Sequence, residues 1–377
     1  MREIKDKMGI AIIEFLDFER SKNNGINNII RQMTEELDFK WKIYGLQEHG
    51  MKTFSLDNTN VQIQNLGNKV KWNILQKIVP NSLWYVINLA KKRNLVSADF
   101  IHCHRVEIGF IVILLFPQIP LIQFIHNNGR DLTSRKSSSK WRYLRRFHIL
   151  VTRFVYRRAA RVLLFNEAEY KNASKLSNEI VRCYSWYDDK VFFASSEPKR
   201  CSLNSNKNIK LMWLGRFEKE KDPLLAIQIV DGFRNSGFSI ELRMFGYGSL
   251  CEAIKSEILS RDLGNSISLY SNASKQEIAE CMRSSDVMIQ TSKYEGSPTS
   301  LVESLATGLP VVSTLEGDPD KVILDGVNGY VVSERNAETF VNPIINSLDL
   351  DRFVILATVK NRAKSSYFKD FQKVIVL

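Results

Sequence analysis

Tyr294-Glu295-Gly296-Ser297-Pro298-Thr299-Ser300-Leu301-Val302-Glu303-Ser304-Leu305-Ala306-Thr307-Gly308-Leu309-Pro310-Val311-Val312-Ser313-Thr314 reads as a loop, a short helix, a turn and a strand. Ser297 is a good N-cap and Pro298 suits the first helical position. The helix then runs to about Ala306, Gly308 takes the left-handed stop, and Pro310 prevents continuation. Val311-Val312-Ser313-Thr314 is a buried strand. The free N–H groups of Thr299 and Ser300 lie at the positive end of the helix, an anion site for which phosphate is the usual occupant. Thr299 and Glu303 are four apart and share a face, while Leu301, Val302 and Leu305 are left to pack. Glu295 sits on the loop just ahead, so two carboxylates bracket one phosphate site. Helix physics alone allows a solvated helix with two surface acids equally well.

Outward from this stretch the same alternation repeats. Strands are expected at 209–214, 240–245, 267–270 and 287–291, the first ending in Gly215-Arg216 and the second in Gly246-Tyr247-Gly248. Asp222-Pro223 reads as an N-cap followed by proline at the first helical position. Ser274-Lys275-Gln276-Glu277 is a capping box. A turn follows at 325–330, a helix at about 337–348, and a helical tail over about 351–371. The first half opens with a strand at 8–15, a polar loop ending in Asn24-Gly25, and an amphipathic helix through Leu37. Further strands are expected at 40–45, 99–104, 121–125 and 162–165, and helices at 81–94 and 106–116; residues 50–82 read as polar and irregular. Polar residues 194–208 form the best linker in the chain. Strand–helix repetition of this kind predicts an α/β protein with parallel sheets and right-handed crossovers.

Composition narrows the class. The chain has 377 residues, 44% hydrophobic and 25% charged, enough for two domains with real cores. Its five cysteines, Cys103, Cys183, Cys201, Cys251 and Cys281, form no Cys-x-x-Cys pair, which argues for a reducing compartment and against a disulfide frame or zinc site. The N-terminus lacks a signal-peptide core. Residues 108–125 carry no charge, but Pro117 and Pro120 break the run, so a buried helix and a buried strand are expected there instead of a membrane span. The net charge of +12 is concentrated between Arg130 and Arg161, which hold eleven Lys/Arg and one acid, Asp131. That balance points to an anionic partner. Within 136–161, Trp141, Leu144, Phe147 and Ile149 or Leu150 recur at helical spacing, with Arg142, Arg145, Arg146 and Arg153 on other faces. This is the pattern of a basic helix at an anionic membrane surface, or equally of a helix packed on its own domain with solvated arginines.

Glu-x7-Glu, with Gly296 after the first Glu, Pro298 two further on and Ala306-x-Gly308-x-Pro310-Val311-Val312 behind the second, resembles the donor-binding signature of retaining glycosyltransferases of family 4, which have the GT-B fold. The resemblance implies two Rossmann-like domains facing each other across a cleft. Residues 1–193 would form the acceptor-side domain, 194–208 the linker and 209–350 the nucleotide-sugar domain, with 351–377 crossing back to the first. It implies that Glu295 faces the transferred sugar and that Gly296, Ser297, Thr299 and Ser300 lie against the donor, the last two offering N–H groups to its diphosphate. Glu303 would hold the ribose hydroxyls. Arg216 and Lys221 match the family's phosphate-binding pair, and Gly246 would permit close approach of the nucleotide. Asp99-x-x-His102-x-His104 resembles a family motif. His126, at the end of a parallel strand, is placed against the donor sugar, and Gly25 on the acceptor-side loop. The chain departs from the family pattern at Asn24, at Asn166-Glu167, and at Ser185-Trp186-Tyr187-Asp188, where Asn-Gly-x-Asp is usual. Asp318-Pro319-Asp320 is read as a variant of the Gly-Gly-x-Pro-Glu loop, not as a metal site.

These readings predict a retaining hexosyltransferase acting from a nucleotide-diphosphate sugar on a glycan or lipid-linked acceptor in cell-surface polysaccharide synthesis. It would be cytoplasmic and peripheral on the inner face of the membrane, without cofactor or metal. A non-catalytic nucleotide-sugar-binding protein of the same fold is the alternative. No aromatic-interleaved module supports nucleic-acid binding, and no Gly-x-Gly-x-x-Gly follows the first strand to support a nicotinamide enzyme.

Overall fold

The computed structural model describes residues 8–13, 25–47, 61–68, 81–126, 145–165, 167–176, 179–194 and 208–376. The chain divides into two compact units, Met1–Cys183 with Phe368–Leu377, and Tyr184–Tyr367.

The first unit contains β1 (Gly9–Ile13), α1 (Gly25–Glu36), β2 (Lys40–Gln47), β3 (Val61–Asn68), α2 (Asn81–Lys91), β4 (Phe100–Cys103), α3 (Val106–Leu115), β5 (Leu121–Ile125), α4 (Arg145–Arg158), β6 (Arg161–Leu164), α5 (Glu167–Ala173) and β7 (Ile180–Arg182). Its strands form one parallel sheet in the order β3-β2-β1-β4-β5-β6-β7. The order reverses between β1 and β4, the place where doubly wound sheets bind ligands. Strands β1, β4 and β5 are mostly apolar and, apart from Gly9, buried throughout, as a sheet covered by helices on each side requires. The uncharged run therefore folds as α3 and β5, and among the described residues no helix is long and apolar enough to cross a membrane. Gln123, inside that run, is buried and donates to the carbonyls of Cys103 and Phe124. Strand β3 falls within the stretch expected to be irregular. Its Val61-Gln62-Ile63-Gln64 alternation is that of an edge strand, which buries only part of one face and so lacks a continuous apolar run. The last residues of the chain belong to this unit: His102 Nε2 meets the Ile375 carbonyl at 3.0 Å, and Arg161 donates to the carbonyls of Val374 (2.9 Å) and Val376 (2.6 Å).

The basic region is helical over α4. His148, Val151, Val155 and Tyr156 are buried, and the Phe154 ring meets Phe110 of α3 edge-on. Phe147 and Leu150 remain 52% and 63% exposed. A groove of about 390 Å³ is lined by Leu150, Arg153, Phe154, Arg157 and Arg158. Trp141, Arg142 and Leu144 lie outside the described residues.

The second unit contains β8 (Ile209–Leu214), α6 (Pro223–Asn235), β9 (Ile240–Phe245), α7 (Cys251–Ser260), β10 (Ile267–Tyr270), α8 (Lys275–Ser284), β11 (Val287–Gln290), α9 (Thr299–Ala306), β12 (Val311–Thr314), β13 (Gly329–Val332), α10 (Glu338–Ser347), α11 (Arg352–Ala357) and the start of α12 (Lys364–Val374). Its parallel sheet runs β10-β9-β8-β11-β12-β13, again reversing between the first and fourth strands. Alternate residues serve two cores. Leu211, Trp213, Val287 and Ile289 pack with α6 and α10 on one face, and Met212 and Met288 pack with Leu301, Val302 and Leu305 of α9 on the other. Ser274 and Glu277 make both halves of the capping box that opens α8. Strand β13 was not expected from the sequence. Four residues behind a Gly-Val-Asn-Gly turn are too short to stand out, and they pair only because Val311–Thr314 offers an open edge.

Candidate functional site

The site in the second unit is built where β8 and β11 end. Thr291, directly after β11, is fully buried. Its hydroxyl accepts the Trp213 indole N–H at 2.9 Å and is shared between the carbonyls of Lys221 (3.0 Å) and Asp222 (2.8 Å). This ties the entry of α6 to the end of β11 and brings Lys221 onto Glu295. Lys221 Nζ lies 2.5 Å from both carboxylate oxygens. Glu295 also accepts from the Ser292 hydroxyl at 2.6 Å and from Gln290 Nε2 at 3.4 Å, and its side chain is 10% exposed. Arg335 locks the same loop from behind, donating to the carbonyls of Thr291 (3.0 Å) and Ser292 (2.8 Å) and to Asp222 Oδ2 at 2.6 Å. Asp222 is the N-cap residue of α6 with Pro223 at its start, as expected, but it is held in the left-handed region at φ 49° and its side chain makes no cap bond. Its carboxylate is engaged instead by Arg335 and Lys293, which offsets a conformation an L-residue seldom adopts.

Pro298, not Ser297, is the N-cap of α9, and no side chain caps the helix. The reason is tertiary. The Ser297 hydroxyl is drawn away to hydrogen-bond Ser185 and the Asp320 carboxylate. The first turn, with Thr299 exposed and Ser300 half-buried, therefore keeps its positive end available to an anion. Glu303 follows one turn later on α9. It makes no hydrogen bond or ion pair among the described residues. Burial raises its pKa to about 7, Asp188 adds to the rise, and Lys275 opposes it. The Ser185–Asp188 segment, which departs from the family pattern, thus still reaches the site through Ser185 and Asp188.

Arg216 and Lys221 are not equivalent. Arg216 is 57% exposed and pairs with Glu220 at 2.6 Å, whereas Lys221 is held on Glu295. Gly246 has a different role from the one expected. A Cβ there would stand 1.8 Å from the Gly215 carbonyl, so its bareness lets the ends of β8 and β9 meet, before any nucleotide is considered. Gly296 lies half-buried between Glu295 and Ser297. Asp318 is 4% exposed, and its two oxygens accept the amides of Val322 (2.9 Å) and Ile323 (2.8 Å). It anchors its own turn, while Asp320 meets Ser297.

The first unit presents a histidine pair at the ends of β4 and β5. His104 Nδ1 and His126 Nε2 are 2.8 Å apart. His104 stacks on Phe124 and His126 on Phe165. Burial lowers the pKa of His126 to about 4 and that of His104 well below its ordinary value, so both rings are neutral near pH 7. Gly25 opens α1; Asn24 lies outside the described residues. Gln290, Thr291, Ser292 and Arg335 were missed by sequence reasoning. None belongs to a motif, and each acts by holding another residue.

Residues 195–364 match the family model described as glycosyl transferases group 1. The match contains every element of the second-unit site from Arg216 to Arg335. The amylovoran biosynthesis glycosyltransferase of Erwinia amylovora is 24% identical over 178 residues, 45% of this chain and 44% of that protein. An uncharacterized glycosyltransferase of Methanocaldococcus jannaschii is 22% identical over 277 residues, 70% of this chain and 71% of that protein. The match to the Erwinia protein thus spans under half of its length. Among solved structures, sucrose-phosphate synthase from Thermosynechococcus elongatus superposes with a TM-score of 0.73 at 15% identity, covering 98% of this chain and 96% of that one. An Anabaena protein crystallised with UDP and glucose superposes with a TM-score of 0.71 at 14% identity, covering 98% and 99%. At these identities the likeness shows the fold, an α/β architecture of two Rossmann-like domains matching the GT-B glycosyltransferases.

The raised pKa of Glu303 has a consequence for stability. The folded chain holds this proton up to about pH 7, whereas an unfolded glutamate releases it near 4.5. Stability therefore falls as pH rises between those values, by on the order of 3 kcal/mol once both states are ionised. Glu303→Gln should raise the thermal midpoint over wild type at pH 8 and lose most of that advantage at pH 5. An advantage independent of pH would rule out a strained carboxyl.

Proposed function

We propose that the chain is a retaining glycosyltransferase that moves a hexose from a nucleotide-diphosphate sugar to a glycan or lipid-linked acceptor in cell-surface polysaccharide synthesis. The observation that carries this reading is the grouping of Lys221, Glu295, the uncapped start of α9 and Glu303, which has no ion pair among the described residues, at the carboxyl end of the second sheet. The family match over this unit supports it, as do the name of the Erwinia relative and the UDP and glucose in the Anabaena protein.

In this mechanism the C1–O bond to the diphosphate breaks while the acceptor oxygen bonds C1 on the same face. The departing phosphate takes the acceptor's proton. Lys221, Arg216 and the amides of Thr299 and Ser300 stabilise the charge developing on the diphosphate. Glu303 accepts from the ribose hydroxyls, and Glu295 orients the sugar with positive charge building at C1. His126 contacts a sugar hydroxyl. A leaving diphosphate needs no strong general acid, unlike the glycosidase case. Fixed cations and a helix terminus supply the stabilisation, so no metal is required. Lys221→Ala should lower turnover roughly 10²-fold, the loss typical of one charge-stabilising donor, and wild-type turnover should survive EDTA. Loss of activity with chelator, restored by manganese, would overturn the metal-independent mechanism.

Lys221 is neutralised by Glu295 when no donor is bound, so the diphosphate must draw the lysine off the carboxylate. Glu295→Gln should bind free nucleoside diphosphate roughly 5- to 10-fold tighter while transfer falls, since about 1.4 kcal/mol of competition is a factor of ten. Titration calorimetry across UDP, GDP and ADP measures this and also identifies the base. Weaker binding in Glu295→Gln would sink the exchange.

We further infer that the protein works peripherally at the cytoplasmic face of an anionic membrane. Exposed Phe147 and Leu150 lie beside the Arg153–Arg157–Arg158 groove, and those three arginines make no ion pair among the described residues. Each basic residue near such a surface contributes about 1 kcal/mol. The protein should float with anionic liposomes at low salt, detach at high salt and ignore neutral ones. Replacing Arg153, Arg157 and Arg158 by Gln should release it without loss of donor hydrolysis. Flotation unchanged in that triple variant would discard this surface.

A further inference from the structure

His104 is almost fully buried at the end of β4, and nothing in the mechanism above uses it. Its ring is fixed twice over. It stacks on Phe124 with centroids 4.4 Å apart, and its Nδ1 lies 2.8 Å from His126 Nε2. The two imidazoles are parallel within 1°. His126, by contrast, stands at the strand end and is only half-buried, with one ring nitrogen engaged by His104.

We propose that His104 is a positioning residue for His126, holding its ring plane and forcing the two imidazoles into the same tautomer through their single N···N hydrogen bond. The argument is one of proton counting. A neutral imidazole carries one N–H and one lone pair. A bond of 2.8 Å between two ring nitrogens needs one hydrogen between them, neither two nor none. If His104 Nδ1–H donates, His126 must carry its own proton on Nδ1. If His126 Nε2–H donates, His104 must carry its proton on Nε2. Both rings are then Nδ1–H or both are Nε2–H. Mixed tautomers would place either two hydrogens or two lone pairs against each other.

This coupling ties the tautomer of His126, and with it whether its Nδ1 donates or accepts, to the tautomer of His104. Nearby His102 serves as an internal reference. Its Nε2 faces the Ile375 carbonyl, which can only accept, so His102 is Nε2–H. The arrangement follows the logic by which hydrogen-bonded neighbours fix site histidines: the hydrogen bond made by one ring nitrogen sets the state of the other.

The kinetic consequence rests on the reading that His126 touches a sugar hydroxyl, whereas the tautomer coupling does not. Long-range proton–nitrogen correlation spectra of the full chain, labelled with ¹⁵N-histidine, report the tautomer of each of its five histidines directly. His104 and His126 should show the same tautomer populations, with His102 as Nε2–H. In His104→Leu, the His126 populations should shift from those of wild type, and turnover should fall roughly 10- to 100-fold with the donor KM little changed. His104→Asn places an amide near the lost Nδ1 that can still hydrogen-bond the ring, and should restore most of the turnover. Opposite tautomers in wild type, a measurement that needs no variant, would overturn the proposal. So would an unchanged His126 spectrum in His104→Leu. Full turnover in His126→Ala would instead overturn the role given to His126, and with it the kinetic half of the proposal.

Discussion

The ion pair between Lys221 and Glu295 is the constraint around which the second unit's site is arranged. Two largely covered charges at 2.5 Å are tolerable only if each is held where the other can meet it, because either alone would pay a desolvation penalty without return. The supporting residues answer that need. Thr291 draws the start of α6 to the end of β11, Ser292 and Gln290 add hydrogen bonds to one oxygen of the carboxylate, and Arg335 fixes the carbonyls of the loop that carries it. Asp222 accepts an unfavourable backbone conformation within the same network.

A second carboxylate obeys the opposite rule. Glu303 is half-buried and has no hydrogen bond or ion pair among the described residues, and desolvation holds its proton to about pH 7. Groups left unsatisfied in this way are concentrated at functional sites, where a ligand supplies the missing interactions. The histidines of the first unit show a third solution. Burial keeps them neutral, and a neutral pair can share one hydrogen bond where a charged pair would repel.

Much of the fold was legible because doubly wound sheets leave strong marks. Strands buried on both faces appear as apolar runs, and β1, β5 and β11 were readable as such, whereas β9 showed itself by alternation, with Glu241 and Arg243 between buried residues. The edge strands β3 and β13 were not, since an edge strand buries too little to write a continuous pattern. Local chemistry was equally uneven. The capping box at Ser274 formed as its spacing demanded, because both partners lie within one turn. Ser297 had the right residue type to cap α9 but was recruited by Ser185 and Asp320, which are 112 and 23 residues away in sequence.

By itself the sequence determined the α/β class, the alternation of both halves and the anion-binding start of α9, because backbone geometry places neighbours on a helix or a strand end. Its resemblance to a family signature added Arg216, Lys221, Glu295 and Glu303 as candidate donor-binding groups. Only the tertiary structure decided which of them are already paired. It gave Lys221 to Glu295 and Arg216 to Glu220, left Glu303 without an ion pair among the described residues, and set His104 against His126. Pairing is a matter of distance across the fold, and burial sets how strongly each charge depends on its partner. Neither quantity is written in the order of residues along the chain.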